Sequence, residues 1–483
     1  MTPIRSNTRT SADTSNDPGR RRKVLAIIPR GEVIRNFVYS GAFDLLGRDV
    51  ELSLLSVVPS DSVLEMLRTK FGRVETLSNS PEPWIVRIQR EILETAHNRW
   101  LWTGAARERS RLRDAEARTL EEKAKRTLKK AISFPIANRI GLNSLARVER
   151  FSSRRFRSAN EYTKLLKEIR PDLVFNGSHV HSANAHQAVQ AAQWLGIPTA
   201  TFIFSWDNLT SQGRILLPYD HYLVWNEGLR DQLIGMYPDI TPDAVHVTGT
   251  PQFDFHFREE FHQTREEFCH SIGADPKRPI VLYSTGMANH MPGEPEIVEE
   301  IADMLGTIDT PAQPQLVVRV YPKDRTGRFD RLMTVRRDIL FPKIEWEDSW
   351  HTPRYEDSYA LVNALRHAAV GINVASTISL ELCMFDKPVI NVGYNPPSID
   401  PKELQYAAYY DFDHYRPIVE SGAVHVAYSP REMAEMLRAA LSNPSAHSRE
   451  RKHLIDRMFA NTLDGRSADR TADVLRRIAH KQL

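Results

Sequence analysis

Apolar runs of strand length alternate with helix-like segments twice along this chain, and that alternation leaves few folds open. KVLAIIP (23–29) is long enough for a buried strand, RGEVIRNFVYSGAFDLLGR (30–48) reads as loop, helix and glycine stop, and VELSLLSVVP (50–59) returns to strand. Strand, helix and strand at this spacing make one βαβ unit of a parallel sheet. The pattern resumes at PDLVFNGS (171–178), passes through SANAHQAVQAAQWLG and IPTATFIF, and closes with HYLVWN and AVHVTGT. A second series opens at PIVLYSTGMANH (279–290) and runs through EPEIVEEIADMLG, QLVVRVYP, a strand near KIEWED, DSYALVNALRHA, VGINVAS and KPVINVGY (387–394). At 483 residues the chain exceeds the usual size of one domain. The expected architecture is α/β: two Rossmann-like parallel-sheet domains, 23–255 and 256–445, facing a cleft. A polar tail (1–22) precedes them, and charged helices (446–483) follow, expected to cross back to the first domain.

Between the two parts of the first series lies 85–170, with helix-forming composition and no convincing strand. It carries 22 Lys or Arg against 10 Asp or Glu, so the net charge of +3 conceals a local basic patch on an otherwise acidic chain. The segment opens with WIVRIQREILETAHNRWLW, which sets Trp84, Ile88, Ile92 and Leu93 on one side of a helix near Trp100 and Trp102. Trp beside Lys and Arg suits a helix lying on an anionic membrane, while a solvated face or an oligomer contact is the plainer use. The patch lacks the stacking motifs of common nucleic-acid modules, so no nucleic-acid partner is expected.

Two cysteines, Cys269 and Cys383, can build neither a disulfide framework nor the usual thiolate metal site. No run of about 18 apolar residues offers a membrane span, and the polar start lacks the apolar middle of a secretory signal. The expected location is cytoplasmic, with peripheral attachment to the inner face of the plasma membrane through 85–170.

In open α/β sheets, ligands bind at the carboxyl ends of the strands, so chemistry belongs in the strand-to-helix loops. Neither G-x-G-x-x-G after a strand nor a G-x-x-x-x-G-K-[ST] loop is present. The turn Ala375-Ser376-Thr377-Ile378-Ser379 offers hydroxyls and backbone N–H groups at a helix start, where they can cap the helix or hold an anion. Glu381 lies four or five residues beyond the cap, too far for a capping box, and suits the two hydroxyls of a ribose.

These residues carry a resemblance. Ser376, Thr377, Ser379, Glu381 and Lys387-Pro388-Val389-Ile390 are similar to the donor-binding segment of GT-B glycosyltransferases, where a Ser/Thr turn, a helix with a Glu and a strand introduced by Lys-Pro hold an activated nucleotide. The likeness extends to capsule-type glycosyltransferases and CDP-glycerol glycerophosphotransferases, whose D-G-x-A/S-x-x-R ending resembles 461–470. PDLVFNGSHVHSANAHQAVQAAQWLGIPTATF resembles the matching part of non-hydrolysing UDP-GlcNAc 2-epimerases. Polyol-phosphate transferases usually carry His-Pro where this chain has Tyr321-Pro322, which favours a sugar transferase. The resemblance implies a GT-B enzyme moving a sugar from a nucleotide-sugar donor to a surface-glycan or lipid-linked acceptor, with no cofactor and no metal. The alternatives are a polyol-phosphate transferase and a non-catalytic glycan- or partner-binding scaffold.

On that reading Arg319 and Lys323 neutralise the leaving diphosphate, Ser284, Thr285 and Gly286 bring backbone N–H groups to the donor, and Trp346 and Trp350 cover the base. Transfer to a hydroxyl needs a general base, and Asp207 in SWDNLT or His181 in SHVHS follows a first-domain strand. His179, His181 and His186 lack a partnering Cys or a spaced carboxylate for a metal site, and Asp411-x-Asp413 reads as an exposed loop.

Overall fold

The computed structural model describes residues 20–78, 81–156, 160–180, 182–344, 346–347, 351–400 and 405–483. Seven strands form the first sheet: β1 (Arg22–Ile28), β2 (Val50–Ser56), β3 (Val74–Thr76), β4 (Leu173–Asn176), β5 (Thr199–Phe202), β6 (His221–Val224) and β7 (Val245–Val247). Their order is β3-β2-β1-β4-β5-β6-β7, with every neighbouring pair parallel. The chain then forms β8 (Ile280–Ser284), β9 (Gln315–Arg319), β10 (Ile339–Leu340), β11 (Trp346–Glu347), β12 (Thr352–Pro353), β13 (Ala368–Asn373), β14 (Val389–Val392) and β15 (His425–Ala427). Six of these make the second sheet, again all parallel, in the order β10-β9-β8-β13-β14-β15.

In both sheets the order in which strands are added reverses beside the first strand, between β1 and β4 and between β8 and β13. Such a reversal opens a crevice at the carboxyl ends. Val24 to Ile28 are fully buried, as a strand covered on both faces requires. One expectation is corrected at the second sheet's edge. The strand near KIEWED does not join the sheet; Ile339–Leu340 does, and Trp346–Glu347 pairs antiparallel with Thr352–Pro353 in a separate ribbon. Ile339 supplies an apolar side chain to the second core, whereas Lys343 and Glu347 flank the other segment with charge.

The C-terminal helix Ser467–Ala479 packs on the first-domain helix Ala42–Asp49. The Asp254 carboxylate accepts from Ser467 N (3.0 Å) and Ala468 N (2.8 Å), and Arg470 Nε donates to Thr248 O (2.9 Å). Gly249 makes this crossing possible: a Cβ there would lie 2.4 Å from Ser467 Oγ.

The insert between β3 and β4 contains the helices Trp84–Leu101, Gly104–Glu116, Leu120–Ser133 and Arg139–Phe156. Leu93, Ala96, Leu142 and Ala146 give it a small core of its own. Helix Leu120–Ser133 leaves large apolar side chains uncovered. Arg126 and Lys130 pair with Asp114 and Lys129 with Glu91, while Leu120 (87% exposed) and Leu128 (61%) stand in solvent together with Lys123 and Lys125. Ile140 (80%) and Phe151 (71%) add to the same uncovered apolar character on the neighbouring helix.

Candidate functional site

A cavity of about 610 Å³ lies where the carboxyl ends of the two sheets face each other. The first domain contributes Asp207, after β5. The second contributes Thr285 and Gly286 after β8, Tyr321 after β9, and Ala375 and Ser376 after β13. The insert closes the third side with Arg109 and Arg113 from helix Gly104–Glu116.

The seam around this cavity is joined across the domains. Trp206 Nε1 donates to Thr377 Oγ1 (3.1 Å), Thr210 Oγ1 stands 2.9 Å from His414 Nδ1, and Tyr39 Oη donates to Pro353 O (3.2 Å). Glu32, after β1, pairs with both Arg30 and Lys323. Burial raises its carboxyl, but the two cations override that and hold it down at about 2. The Asp413 carboxylate accepts from Gly104 N, the start of the insert helix that lines the cleft. Asp411-x-Asp413 is thereby a docking point for the insert. Among the described residues no group of His, Cys, Asp or Glu is arranged to hold a metal ion.

The sequence-selected residues divide into two sets. Asp207, Thr285, Gly286 and Ser376 line the cavity. Asp207 Oδ2 accepts from Ser211 Oγ (2.7 Å) and Oδ1 from Asn208 Nδ2 (3.3 Å), which fixes the carboxylate while leaving it half-buried at the cavity wall. Gly286 is required by close approach, since a Cβ would lie 2.0 Å from Met291 Sδ. Its N–H donates to both oxygens of buried Glu294 (3.0 and 2.9 Å), which Arg328 Nη2 also reaches (2.9 Å). Thr285 Oγ1 accepts from Tyr321 N (2.8 Å), tying the loops after β8 and β9 together.

The second set is engaged elsewhere. Arg319 Nη2 donates to both oxygens of Asp357 (2.8 and 2.9 Å), and Trp346 Nε1 donates to the same carboxylate (2.7 Å). Lys323 is committed to Glu32, and Ser284 is buried at the end of β8. Ser379 lies in a buried network with Asn373 Oδ1 (3.0 Å), Asn391 Oδ1 (3.2 Å) and Tyr415 Oη (2.8 Å). Glu381 Oε2 meets His256 Nε2 at 2.8 Å beside a separate cavity of about 20 Å³, far smaller than a ribose. His181 and Trp350 lie outside the described residues.

The Ser/Thr turn itself also differs from a free anion cradle. Helix Ile378–Met384 has seven residues, and its leading N–H groups are already used. Ser376 N donates to Asn373 Oδ1 (3.1 Å), Ile378 N to Ser376 Oγ (3.3 Å), and Ser379, Leu380 and Glu381 N–H groups to carbonyls of the turn. Ala375, at φ 39°, carries the left-handed strain that turns this segment into the cavity.

Sequence reasoning missed Arg109, His290 and His414. Arg109 makes no ion pair or hydrogen bond with a described residue, and burial lowers its pKa while Glu94 raises it. His290 Nδ1 stands 3.0 Å from Tyr409 Oη, and burial, then Arg109, lower its pKa. Burial likewise lowers His414, against Asp207 and Asp413, which raise it. His290 was findable, because STGMANH follows a strand. Arg109 was not, because one arginine among many in a helix carries no mark of the cavity it faces.

Two Rossmann-like parallel-sheet domains facing across a crevice define the GT-B fold, and this chain has it. Among solved structures it is similar to the UDP-GlcNAc 2-epimerase of Neisseria meningitidis bound to UDP-GlcNAc (TM-score 0.52, 12% identity, covering 94% of this chain and 99% of that one). It is also similar to the Methanocaldococcus jannaschii UDP-GlcNAc 2-epimerase in complex with UDP-GlcNAc and UDP (0.51, 13%, 94% and 99%). A glycosyltransferase from Rickettsia africae ESF-5 matches comparably (0.50, 11%, 96% and 100%). No protein-family profile and no curated protein sequence matches this chain.

Proposed function

We propose that this protein is a glycosyltransferase that moves a sugar from a nucleotide-activated donor to a surface-glycan or lipid-linked acceptor. The observation that carries the reading is the composition of the cleft cavity: a fixed carboxylate from one domain, a glycine-bearing loop from the other, and an unpaired guanidinium between them. Its volume, about 610 Å³, suits a nucleotide sugar. The donor diphosphate lies against Thr285, Gly286 and Ser376, and Arg109 offsets its charge as the bond to the sugar breaks. Asp207 takes the proton from the acceptor hydroxyl. Because a guanidinium supplies the positive charge, transfer is independent of added metal and insensitive to a chelator.

The insert supports the acceptor side of this reading. Uncovered Leu120, Leu128, Ile140 and Phe151 lie within a segment of net positive charge, a combination that fits an anionic membrane surface where a lipid-linked acceptor resides. No helix among the described residues is long and apolar enough to cross a membrane.

The test is a thermal-shift screen of the intact protein with UDP, GDP, CMP and UDP-GlcNAc. A rise in Tm with a nucleotide, lost in Arg109→Ala, is expected; no rise with any of them overturns the reading. The similarity in fold to UDP-GlcNAc 2-epimerases gives a second reading to check. Incubation with UDP-GlcNAc alone, followed by chromatography, separates an epimerase, which makes the C2 epimer without an acceptor, from a transferase, which does not.

A further inference from the structure

The cleft cavity continues beneath the insert. It shares Glu94 and Gln212 with a second cavity of about 180 Å³. That cavity shares Leu93, Arg214 and Leu216, among others, with a third of about 410 Å³ on the outer side of the insert. The three cavities thus lie in a row beside helix Trp84–Leu101, a segmented trough from Asp207 to the outer pocket. Gly213, at φ 83°, follows the shared wall residue Gln212 and is closely packed: a Cβ there would stand 3.3 Å from Glu94 Oε1 and 3.4 Å from Arg109 Nη1.

The outer pocket is rich in arginine, and its carboxylates are already satisfied. Asp239 accepts from Arg139 Nη2 (3.1 Å) and Asn143 Nδ2 (2.8 Å). Asp220 accepts from the Thr199 N–H and hydroxyl (both 2.8 Å), and Glu149 from Arg90 Nη2 (3.1 Å). Arg214 Nη1 donates to His97 Nδ1 (3.1 Å), a ring that burial and then Arg214 itself push down to about 3, so it is a neutral acceptor. Arg147 and Arg150 form no ion pair with a described residue, although Arg147 helps to lower Asp239. The pocket therefore presents Arg147, Arg150 and Arg214 beside Trp100, with Arg214 itself lying over the Tyr237 ring (5.6 Å to its centre). That pairing of guanidinium with flat apolar surface matches an anionic sugar.

We infer that the trough binds an extended anionic acceptor glycan, with its accepting hydroxyl at Asp207, its chain under the insert, and a carboxylate or phosphate held by Arg147, Arg150 and Arg214. The inference rests on the transferase reading for the role of Asp207, but its binding test does not. Calorimetry on the full chain would use tetragalacturonate, maltotetraose 1-phosphate and uncharged maltotetraose, the first two separating carboxylate from phosphate. At least one charged tetramer should bind, and Arg147→Gln/Arg150→Gln should weaken it about tenfold through two lost charge-assisted hydrogen bonds. Leu216→Trp, which fills the neck, should do the same. UDP affinity should stay within about twofold in both variants because the sites are separate. The inference is overturned if neither charged tetramer binds, if maltotetraose binds equally well, or if both variants bind the charged tetramer as the wild type does. Failure of the wild type to bind any nucleotide would instead overturn the transferase reading, while the tetramer results still decide the trough.

Discussion

Glu381 Oε2 and His256 Nε2 meet at 2.8 Å inside the seam between the domains, away from the cleft cavity. His256 is buried and its Nδ1 has no partner among the described residues, so Glu381 is the group that satisfies the ring. Glu381→Ala strands a buried imidazole and is expected to cost about 1–3 kcal/mol of stability. Thermal unfolding should record that loss while UDP affinity, measured by calorimetry, is unchanged. An unchanged Tm with UDP binding weakened tenfold would give Glu381 back the ribose role that its sequence position suggested.

That residue marks where reading the sequence stopped. The period of the strand and helix segments was enough to place both parallel sheets, because buried parallel strands are written as local apolar runs such as KVLAIIP and PIVLYS. Asp207, Gly286 and Ser376 were also legible, since each follows such a run and strand ends face the crevice. What was not legible is pairing over long sequence distance. Arg319 has Asp357 and Lys323 has Glu32, so the cations chosen for the diphosphate are neutralised by carboxylates elsewhere in the chain. Arg109, which forms no ion pair with a described residue, belongs to an insert whose composition reads as surface.

Arg109 should therefore carry much of the nucleotide affinity. It faces the cavity half-buried and forms no ion pair with a described residue, so a bound diphosphate would gain charge-assisted hydrogen bonds. Arg109→Ala is expected to weaken UDP binding by about 1.5–3 kcal/mol, roughly ten- to a hundredfold. Unfolding should be little altered, because no ion pair is broken. Equal UDP affinity in wild type and variant would remove Arg109 from the site.

Glu294 should make the cleft loop sensitive to pH. Burial pushes its carboxyl up from 4.5 to about 7, against the opposing pull of Arg328 and the Gly286 N–H. The folded state thus holds a proton that the unfolded chain releases, and the associated stability is fully present below pH 4.5. It declines between 4.5 and 7 and is gone above 7. Glu294→Gln cannot titrate, so the difference in Tm between wild type and variant should change across this window in the direction that disfavours the wild type as pH rises. A difference that stays constant from pH 4.5 to 7.5 would show that Glu294 keeps its charge throughout.

The outward apolar face of the insert makes the last prediction. Helix Leu120–Ser133 leaves Leu120 and Leu128 in solvent beside exposed Lys123 and Lys125, an arrangement that costs hydrophobic burial unless something covers it. An anionic bilayer would cover the apolar side chains and attract the surplus Lys and Arg together. Each fully inserted Leu, Ile or Phe contributes about 1.5–3 kcal/mol. Leu128→Ser/Ile140→Ser/Phe151→Ser should accordingly reduce sedimentation with phosphatidylglycerol vesicles about tenfold or more, even at partial insertion. Because all three side chains are exposed, unfolding temperature should scarcely move. Binding to phosphatidylcholine vesicles should be weak throughout, and raised salt should weaken the anionic case as surface charges are screened. Wild-type protein that ignores anionic vesicles, or a triple variant that binds them undiminished, would show that this face meets something other than a membrane.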